Sequence, residues 1–405
     1  MDKSFAHKLA ILLIGLILQS GSFAISSNGN PAPILKSPAP LPSHPGYLRL
    51  KEALAGYRNI ADKGGWPKIP AGPNMKKDQE GERIRLVRQR LRISEEMDAR
   101  KIDDVDFFDS DLEEAVRGFQ RRHGLKPDGI VGPATLAAMN VSVEERIHQI
   151  EANLERWQWL PRDLGERYIL INIPAYELEV IESGRPAIEM RLIVGKQYWS
   201  TPVFSAIMTH VVFRPYWNVP PRMAKTEVLP RILQDPSYLV EQGIRILEGW
   251  DNGTSEIAVN GIDWTKIDAA HFQYRFRQDP GPKNPLGRIK FIFPNRFNVY
   301  LHDTPSGDLF KKRRRAFSHG CIRVEKPVEL AEYALRGNPA WTKERILSEM
   351  EGSYNRTVRL PVGIPVYILY WTAWVEEDGT VQFREDVYGH DERLDKTLEA
   401  KEPTH

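Results

Sequence analysis

The pattern of apolar and polar positions changes from a helical to a strand-like repeat near residue 166. Before this point, apolar residues recur three or four positions apart in the segments 48–60, 84–91, 112–119 and 147–157, and this spacing is typical of amphipathic helices. After it, short runs rich in β-branched and aromatic residues alternate with Gly, Pro or Asn, and such runs favour strands. We therefore predict a helical N-terminal part and a β-rich C-terminal part.

The β-rich part has predicted strands at 168–173, 178–181, 189–194, 207–213, 288–293 and 298–302. Their alternation with turn residues favours a β-sandwich. Residues 222–285 interrupt this pattern with a helical run at 224–233, which predicts an insertion. Helices at 327–335 and 342–349 follow, and then an apolar strand at 366–374 that is too short to cross a membrane. The predicted fold class is α+β with several domains.

The N-terminus has the features of a secretory signal peptide. Lys3 and Lys8 precede an apolar run at residues 9–18, and small residues stand one and three positions before a predicted cut after Ala24. The alternative is an uncleaved anchor, but this run is about half of the ~20 apolar residues that a membrane span needs. The proline-rich residues 25–46 predict an extended linker. We expect the protein to act outside the cytoplasm.

The net charge and the cysteine content reduce the number of possible classes of function. The 56 Lys and Arg nearly balance the 54 Asp and Glu, so a net charge of +2 gives no basis for general nucleic-acid binding. The single cysteine, Cys321, cannot form an internal disulfide. In an exported protein such a thiol is buried and inert, links two chains or acts as a nucleophile. The residues around Cys321 favour the nucleophile.

Cys321 lies in Ser-His-Gly-Cys-Ile-Arg at residues 318–323, and His302 lies 19 positions upstream at the end of a predicted strand. A free thiol is mostly protonated at neutral pH, so a nucleophilic cysteine needs an imidazole that takes its proton. Gly320 lets the backbone approach an acyl group, and the amides of Gly320 and Cys321 are predicted to form an oxyanion hole. These features predict thiol catalysis at a carbonyl carbon, with no cofactor.

This motif resembles the signature of the L,D-transpeptidases, which cross-link bacterial peptidoglycan. The segments 195–202 and 215–221 also resemble their catalytic domain, and the resemblance covers nearly all of the chain after residue 46. Large periplasmic members of that family carry a helical scaffold and a three-helix peptidoglycan-binding module. Residues 112–135, with Phe-Gln, His-Gly-Leu and Asp-Gly-x-x-Gly-Pro-x-Thr, resemble that module. It either binds the cell wall or is retained for packing.

The patterns and the resemblance together predict the division of the chain. The predicted segments are a signal peptide (1–24), a Pro-rich linker (25–46), a first part of the helical scaffold (47–100), a peptidoglycan-binding-like module (101–142), a scaffold helix (143–165), the catalytic domain (166–352) and a C-terminal strand with a scaffold extension (353–405). In related large transpeptidases an insertion caps the substrate groove, so the resemblance implies that residues 222–285 form a lid. A fixed packing insertion is the alternative.

The resemblance implies a reaction in which Cys321 attacks the carbonyl between the third-position diamino acid and the terminal D-Ala of a tetrapeptide stem. D-Ala leaves, a thioester remains, and His302 acts first as base and then as acid. An acceptor stem amine then forms a 3→3 cross-link, while water, a free D-amino acid or a lipoprotein lysine are alternative acceptors. Implied partners are peptidoglycan stems, other cell-wall enzymes and carbapenem-type β-lactams as inhibitors, and the implied location is the periplasm.

The same resemblance implies roles for the neighbours of the nucleophile. His319 and Gly320 would shape the oxyanion hole together with the amide of the cysteine. Ser318 would fix the turn and is also a candidate substrate contact. Asp303 would orient His302 through its backbone carbonyl or, as an alternative, through its side chain.

Other candidate substrate contacts lie on neighbouring segments. Arg323 would bind a substrate carboxylate, because guanidinium is a bidentate carboxylate ligand, or else form a structural ion pair. Tyr300 shares a strand face with the catalytic histidine two residues away and would line the groove. Trp217 and Asn218 would contact the stem peptide, with burial of Trp217 in the sandwich core as the ordinary alternative. The basic run 311–315 either attracts peptidoglycan carboxylates or is solvated surface.

Two alternatives come from other classes of protein. His302, Asp303, His319 and Cys321 are possible zinc ligands of a metal hydrolase, although no His-Glu-x-x-His or paired-cysteine spacing supports one. The other alternative is a wall-attached binding protein with a degenerate catalytic domain, against which the complete signature argues.

Overall fold

The computed structural model describes residues 44–98, 106–248, 255–267 and 274–399. The predicted signal peptide and nearly all of the predicted linker lie outside these residues. Within them, no helix has both the length and the apolar character that a membrane span requires.

The helices form where apolar residues repeat at helical spacing. In the described residues they are α1 (Pro45–Asp62), α2 (Glu82–Ile93), α3 (Ser110–Arg122), α4 (Pro133–Met139), α5 (Val143–Trp157), α6 (Pro221–Met223), α7 (Leu229–Gln234), α8 (Ser237–Gln242), α9 (Pro327–Leu335), α10 (Lys343–Glu351) and α11 (His390–Glu399). A π-helical turn at Ala224–Val228 joins α6 to α7. α5 begins at residue 143, the predicted start of the scaffold segment, since Ser142 forms a capping box with Glu145 there, and it ends at Trp157, where the predicted apolar repeat ends.

The strands are short apart from three. They are β1 (Arg167–Asn172), β2 (Glu177–Glu182), β3 (Arg185–Gly195), β4 (Phe204–Phe213), β5 (Trp217–Asn218), β6 (Ile244–Leu247), β7 (Glu256–Ile257), β8 (Arg275–Gln278), β9 (Ile289–Ile292), β10 (Leu301–His302), β11 (Ala316–Ser318), β12 (Ile322–Val324), β13 (Arg356–Leu369), β14 (Ala373–Val375) and β15 (Val381–Phe383).

Nine strands form one sheet in the order β11-β3-β12-β10-β9-β4-β13-β1-β2. β3 also pairs with β2, so the sheet closes on itself. Alternate residues such as Ile169 and Ile171 point inward and enclose the largest apolar core, to which α9 and α10 add Leu330 and Ile346. The predicted combination of helical modules with a β-rich domain is confirmed, and the strands of the β-rich domain form one sheet that closes on itself.

The position of β13 corrects the predicted C-terminal limit of the catalytic domain at residue 352. β13 pairs in parallel with β1 and antiparallel with β4, so residues 356–369 complete the sheet. The strand pattern of the sequence missed the first half of β13 because Pro361 and Gly363 fall within an irregularity of the ladder.

The helical scaffold has a core of its own, made by α1, α5, β14 and β15. Leu50 of α1 and Ile150 of α5 pack in one cluster with Trp371 and Phe383. The indole rings of Trp157 and Trp371 stack with their centres 4.4 Å apart. Segments from both ends of the described chain therefore build one scaffold.

The module predicted at 101–142 begins earlier than expected. Ile84, Val87 and Leu91 of α2 are buried in the same cluster as Phe119 of α3 and Met139 of α4. Assignment of α2 to the scaffold is therefore corrected, because its apolar stripe faces α3.

The motif residues of this module stabilise the turn between α3 and α4 by hydrogen bonds to one another. Gln120 is 1% exposed, and its Nε2 donates to Asp128 Oδ1 at 3.0 Å and to Thr135 Oγ1 at 3.1 Å. Its Oε1 accepts from the Gly129 amide at 2.9 Å. These contacts favour a packing role for the motif, while cell-wall binding by the module stays a prediction.

The insertion forms a small subdomain between Trp217 and Gln278. Its strands pair in the order β5-β8-β6-β7, and its core contains Val228, Ile232 and Phe276. The helical run that the sequence predicted at 224–233 is part of the continuous run from α6 to α7. The insertion is thus a folded unit with its own core.

Candidate active site

Three polar side chains lie in a row on the face of the closed sheet that is opposite to its core. His302 on β10 pairs with Lys290 on β9 and with Arg323 on β12. The adjacent residues Leu301 and Ile322 are buried in the core. Because successive side chains of a strand point to opposite faces, the three polar side chains point to the other face of the sheet. The register of the sheet therefore places a histidine between two cations.

His302 is 4% exposed, and its Nδ1 lies 2.5 Å from the backbone carbonyl oxygen of Asp303. A carbonyl oxygen only accepts, so Nδ1 carries the proton and Nε2 keeps a free lone pair. The Asp303 carboxylate instead accepts from the Arg288 amide at 2.8 Å, so the backbone carbonyl is the orienting group. Burial, with the nearby charges of Arg323 and Lys290, lowers the pKa of His302 to about 3. The imidazole is therefore neutral at physiological pH.

Cys321 lies in the loop between β11 and β12 and is half-buried. Its Sγ lies 3.8 Å from the backbone carbonyl oxygen of Asn298. Burial raises the pKa of the Cys321 thiol, although hydrogen bonds from Tyr300 and the charge of Lys290 act in the opposite direction. No hydrogen bond joins Cys321 to His302 within the residues that the structure describes. The resting site thus holds a neutral thiol and a neutral imidazole.

Tyr300 directly precedes β10, and the centre of its ring lies 5.7 Å from that of His302 in an edge-to-face arrangement. Lys290 Nζ lies 3.6 Å from the centre of the Tyr300 ring, within the range of a cation–π contact. Burial and the sulfur of Cys321 raise the pKa of Tyr300, so its hydroxyl keeps its proton and can donate to the sulfur. Tyr300 therefore lies beside His302, while its contact with substrate stays a prediction.

The turn before Cys321 is held by internal hydrogen bonds. Gly320 has a φ of +109°, which residues with a Cβ rarely adopt, and its amide donates to Ser318 Oγ at 3.1 Å. Ser318 Oγ in turn donates to the Cys321 carbonyl at 2.5 Å. Ser318 is buried, so its hydroxyl fixes the turn, and its predicted contact with substrate remains a prediction. The Gly320 amide is therefore engaged within the turn, and an oxyanion hole at Cys321 stays a prediction.

Thr201 sets the direction of the Cys321 amide. Its Oγ1 donates to the Gly320 carbonyl at 2.8 Å and accepts from the Gly195 amide at 3.0 Å. The Gly320 carbonyl and the Cys321 N–H belong to one planar trans peptide and point in opposite directions. Thr201 is fully buried, and Tyr388 Oη bonds both its amide and the Gly195 carbonyl. The bond from Thr201 therefore aims the Cys321 N–H away from the buried side.

His319 connects the catalytic loop to the insertion. Its Nε2 lies 2.6 Å from Glu227 Oε1 in the π-helical turn, and its ring meets the edge of Trp199 with centres 5.1 Å apart. Arg222, at the start of the same helical run, lies 4.0 Å from the centre of the Trp199 ring. The insertion thus reaches the loop next to Cys321, while its opening and closing stay a prediction.

Trp217 and Asn218 lie on β5 in the sheet of the insertion, where they pair with Gln278 and Arg277. Trp217 packs partly buried against the insertion's core and not in the core of the closed sheet, and Asn218 is exposed. In the described part of the chain neither side chain hydrogen-bonds or stacks with the residues around Cys321. Their contact with a stem peptide stays a prediction.

The basic run at 311–315 is mostly engaged within the protein. Lys311 pairs with Asp308 at 2.7 Å and Arg314 with Glu385 at 2.9 Å. Arg315 donates to the backbone carbonyls of Leu192 and Tyr176. Part of the basic run therefore stabilises the loop that precedes the motif at residues 318–323.

The zinc alternative has no support in the described ranges, where no group of three or more His, Cys, Asp and Glu side chains could hold a metal ion. Of its four proposed ligands, Asp303 bonds the Arg288 amide and His319 bonds Glu227. The geometry favours thiol chemistry.

Sequence reasoning missed Lys290, Thr201 and Glu227. Lys290 stands between Ile289 and Phe291 in a predicted strand, so alternation already placed it on the polar face. Its position opposite His302 depends on the register of two strands, and no local pattern contains that register.

Comparison with known proteins gives two domain matches. Residues 166–346 match the family described as "L,D-transpeptidase catalytic domain", and residues 80–139 match the "Putative peptidoglycan binding domain" family. The "Putative L,D-transpeptidase" of Haemophilus influenzae is 37% identical over 226 residues, which cover 56% of this chain and 45% of that relative. The match thus spans less than half of that relative's length.

Solved structures of L,D-transpeptidases are also similar to parts of the chain. One from Xylanimonas cellulosilytica (residues 123–326) is 16% identical with a TM-score of 0.23, and the match covers 74% of this chain and 99% of that one. L,D-transpeptidase 3 from Mycobacterium tuberculosis, in complex with a faropenem-derived adduct, is 13% identical with a TM-score of 0.23, and the match covers 50% of this chain and 61% of that one. At such TM-scores these likenesses give no independent support for the fold.

Proposed function

We propose that this chain forms 3→3 cross-links between peptidoglycan stems, because residues 166–346 match the L,D-transpeptidase catalytic domain family and residues 80–139 match the putative peptidoglycan binding domain family. The observation that carries the proposal is the position of Cys321 beside a strand that holds a neutral, oriented His302. A nucleophile next to a base whose second nitrogen is fixed by an acceptor is the arrangement that covalent acyl transfer needs.

In the first half-reaction, Cys321 Sγ attacks the carbonyl carbon that links the third residue of a tetrapeptide stem to its terminal D-Ala. His302 Nε2 takes the thiol proton as the S–C bond forms. The negative charge that develops on the carbonyl oxygen is stabilised by the Cys321 N–H, whose direction Thr201 fixes. The C–N bond then breaks, His302 returns the proton to the amine, and D-Ala leaves a thioester behind.

In the second half-reaction, the side-chain amine of an acceptor stem attacks the thioester carbonyl. His302 removes a proton from the amine, the C–S bond breaks, and the proton returns to the sulfur. The product is an amide between the third residues of two stems. Water as the acceptor gives a tripeptide instead, which is an L,D-carboxypeptidase side reaction.

The charges around the base suit this sequence of steps. Burial and, to a smaller extent, the two neighbouring cations lower the pKa of His302 and keep its imidazole neutral, so a base is available without prior deprotonation. Imidazolium formed during attack is destabilised by the same cations, which favours rapid return of its proton to the leaving amine. We place this activity in the periplasm, on the strength of the predicted export signal, with carbapenem-type β-lactams as acylating inhibitors of Cys321.

The test is mass spectrometry of muropeptides after incubation of a disaccharide-tetrapeptide with the purified chain and with its Cys321→Ala variant. Release of D-Ala with cysteine-dependent 3→3 dimers is the expected result. Tripeptide without dimers would reassign the chain as an L,D-carboxypeptidase. An unchanged tetrapeptide would contradict the proposal and favour a wall-binding role.

A further inference from the structure

The site contains two cations, Lys290 and Arg323, that have no counter-ion among the described residues. Lys290 and Arg323 flank His302 on either side, and neither forms an ion pair with any residue that the structure describes. Arg323 Nη1 lies 3.5 Å from Thr304 Oγ1, and its Nε is buried without a hydrogen-bond partner. The contact of Lys290 is with the ring face of Tyr300. A structural ion pair of Arg323, the alternative considered from the sequence, is therefore absent from the described residues.

Leaving two such charges unpaired is costly, since burial removes their hydration and they repel one another. Another arginine of the same sheet is neutralised by an ion pair with a carboxylate. Just beyond Arg323, Glu325 accepts from Arg191 Nε at 2.9 Å. The thiol of Cys321 does not provide the missing charge at rest, because burial keeps it protonated. The row is thus built to receive an anion from outside the chain.

We propose that Lys290 and Arg323 bind the α-carboxylate of the D-amino acid that leaves the donor stem, an inference that rests on the proposed function. This carboxylate is three bonds from the carbonyl carbon that Cys321 attacks, which by standard bond lengths is about 3–4 Å. A cationic site for it must therefore lie directly beside the nucleophile and the base. Arginine offers a planar fork to a carboxylate, and lysine adds a compact charge.

With this arrangement, recognition of the donor stem depends on the length of its peptide. A tetrapeptide places its free carboxylate at the cations when the scissile carbonyl is at Cys321. A pentapeptide moves that carboxylate one residue further, by up to about 3.5 Å, and leaves an uncharged amide in its place. Lys290 and Arg323 therefore select stems that end one residue after the scissile bond.

The test compares a tetrapeptide donor with the same donor carrying a C-terminal amide. The intact chain is expected to prefer the free acid by roughly 10- to 100-fold in kcat/KM, the range of one or two hydrogen bonds between charged groups. Lys290→Met and Arg323→Gln should lose most of this preference, mainly through a higher KM for the acid, while Lys290→Arg retains part of it. Lys343→Met is the matched control, because Lys343 is 57% exposed and pairs with Glu332 on the helical side of the domain.

A binding measurement separates recognition from chemistry. In a Cys321→Ala background, calorimetry should give tighter binding of the acid than of the amide, and Lys290→Met should abolish that difference. Equal losses for both donors in Lys290→Met would overturn the proposal, because the cations would then act on Cys321 and His302 alone. An intact chain that releases no D-Ala from any donor would instead refute the proposed function. Thermal melting of each variant identifies any that fail to fold.

Discussion

The Glu227 carboxylate lies 2.6 Å from His319 Nε2, and this contact joins the insertion to the loop that holds Cys321. The two residues are 92 positions apart in the chain. Glu227 stands in a π-helical turn, a distortion that widens the helix and often marks functional sites. The insertion therefore helps to position His319, which lies two places before Cys321.

Removing this contact should slow acylation. A hydrogen bond to a charged, partly exposed carboxylate is worth about 1 kcal/mol, so Glu227→Ala should lower kcat/KM by roughly fivefold, and Glu227→Gln by less. The measurement is the rate of D-Ala release. Glu256→Gln, in the same insertion but paired with Arg245, is the control. Full activity of Glu227→Ala would show that the loop alone holds His319.

Thr201→Val should lower kcat while leaving the shape of the core nearly unchanged. Valine fills the same space but cannot bond the Gly320 carbonyl or the Gly195 amide. Displacement of the Cys321 amide by a fraction of an ångström should cost roughly 10- to 100-fold in kcat. Thr201→Ser keeps both hydrogen bonds and should be close to the parent chain. A Val variant with unchanged kcat would show that the Cys321 N–H does not stabilise the oxyanion.

Gly320→Ala should impair both folding stability and activity through the backbone. A Cβ at this position would be 3.7 Å from the Trp199 carbonyl, so there is room for it, but φ is +109°. Such a conformation costs a residue with a Cβ about 1–3 kcal/mol. Gly307→Ala, in the segment between β10 and β11, is the control, because Gly307 has open space around it and no positive φ. Equal melting temperatures for the two variants would contradict this origin of the strain.

The parts of the fold that were predictable from sequence are those fixed by local chemistry. The bounds of α5 follow from Ser142 at its start and from an apolar repeat that ends at Trp157. The proposed catalytic pair was recognisable because Cys321, directly before β12, and His302, on the neighbouring strand β10, lie 19 positions apart in sequence. In each case the informative residues lie within about 20 positions of one another.

Features that depend on long-range pairing were not predictable. β13 reaches its central place by pairing with β1 and β4, whose residues lie about 150 to 200 positions earlier in the chain. Glu227 and Thr201 contact the loop that holds Cys321 through hydrogen bonds between residues that are 92 and 119 positions apart in the chain. Periodicity reports which face of a strand is apolar, but it contains no information on which strand lies alongside.

The motif of the peptidoglycan-binding-like module gives a stability prediction. Gln120→Ala would leave the Gly129 amide and the Thr135 hydroxyl without their buried partner. We expect a loss of roughly 2 kcal/mol in the unfolding free energy of the module, measured by thermal or urea denaturation. Arg121→Ala, next on the same helix with an exposed ion pair to Glu114, should change stability by less than about 0.5 kcal/mol. Loss of sacculus binding without loss of stability would instead indicate ligand contact by Gln120.

The last prediction concerns the protonation of the catalytic pair. The pKa of His302 is about 3 and that of Cys321 lies above its ordinary value, so neither group titrates between about pH 4 and 8. The thiol loses its proton only as pH rises through its raised pKa, and alkylation of the free chain by iodoacetamide should therefore increase about tenfold per unit up to alkaline pH. Lys290→Met removes a charge that favours the thiolate and should move this profile to still higher pH. Thiolate absorbance at neutral pH, lost in an acid limb near 6.5, would instead demonstrate a thiolate–imidazolium pair.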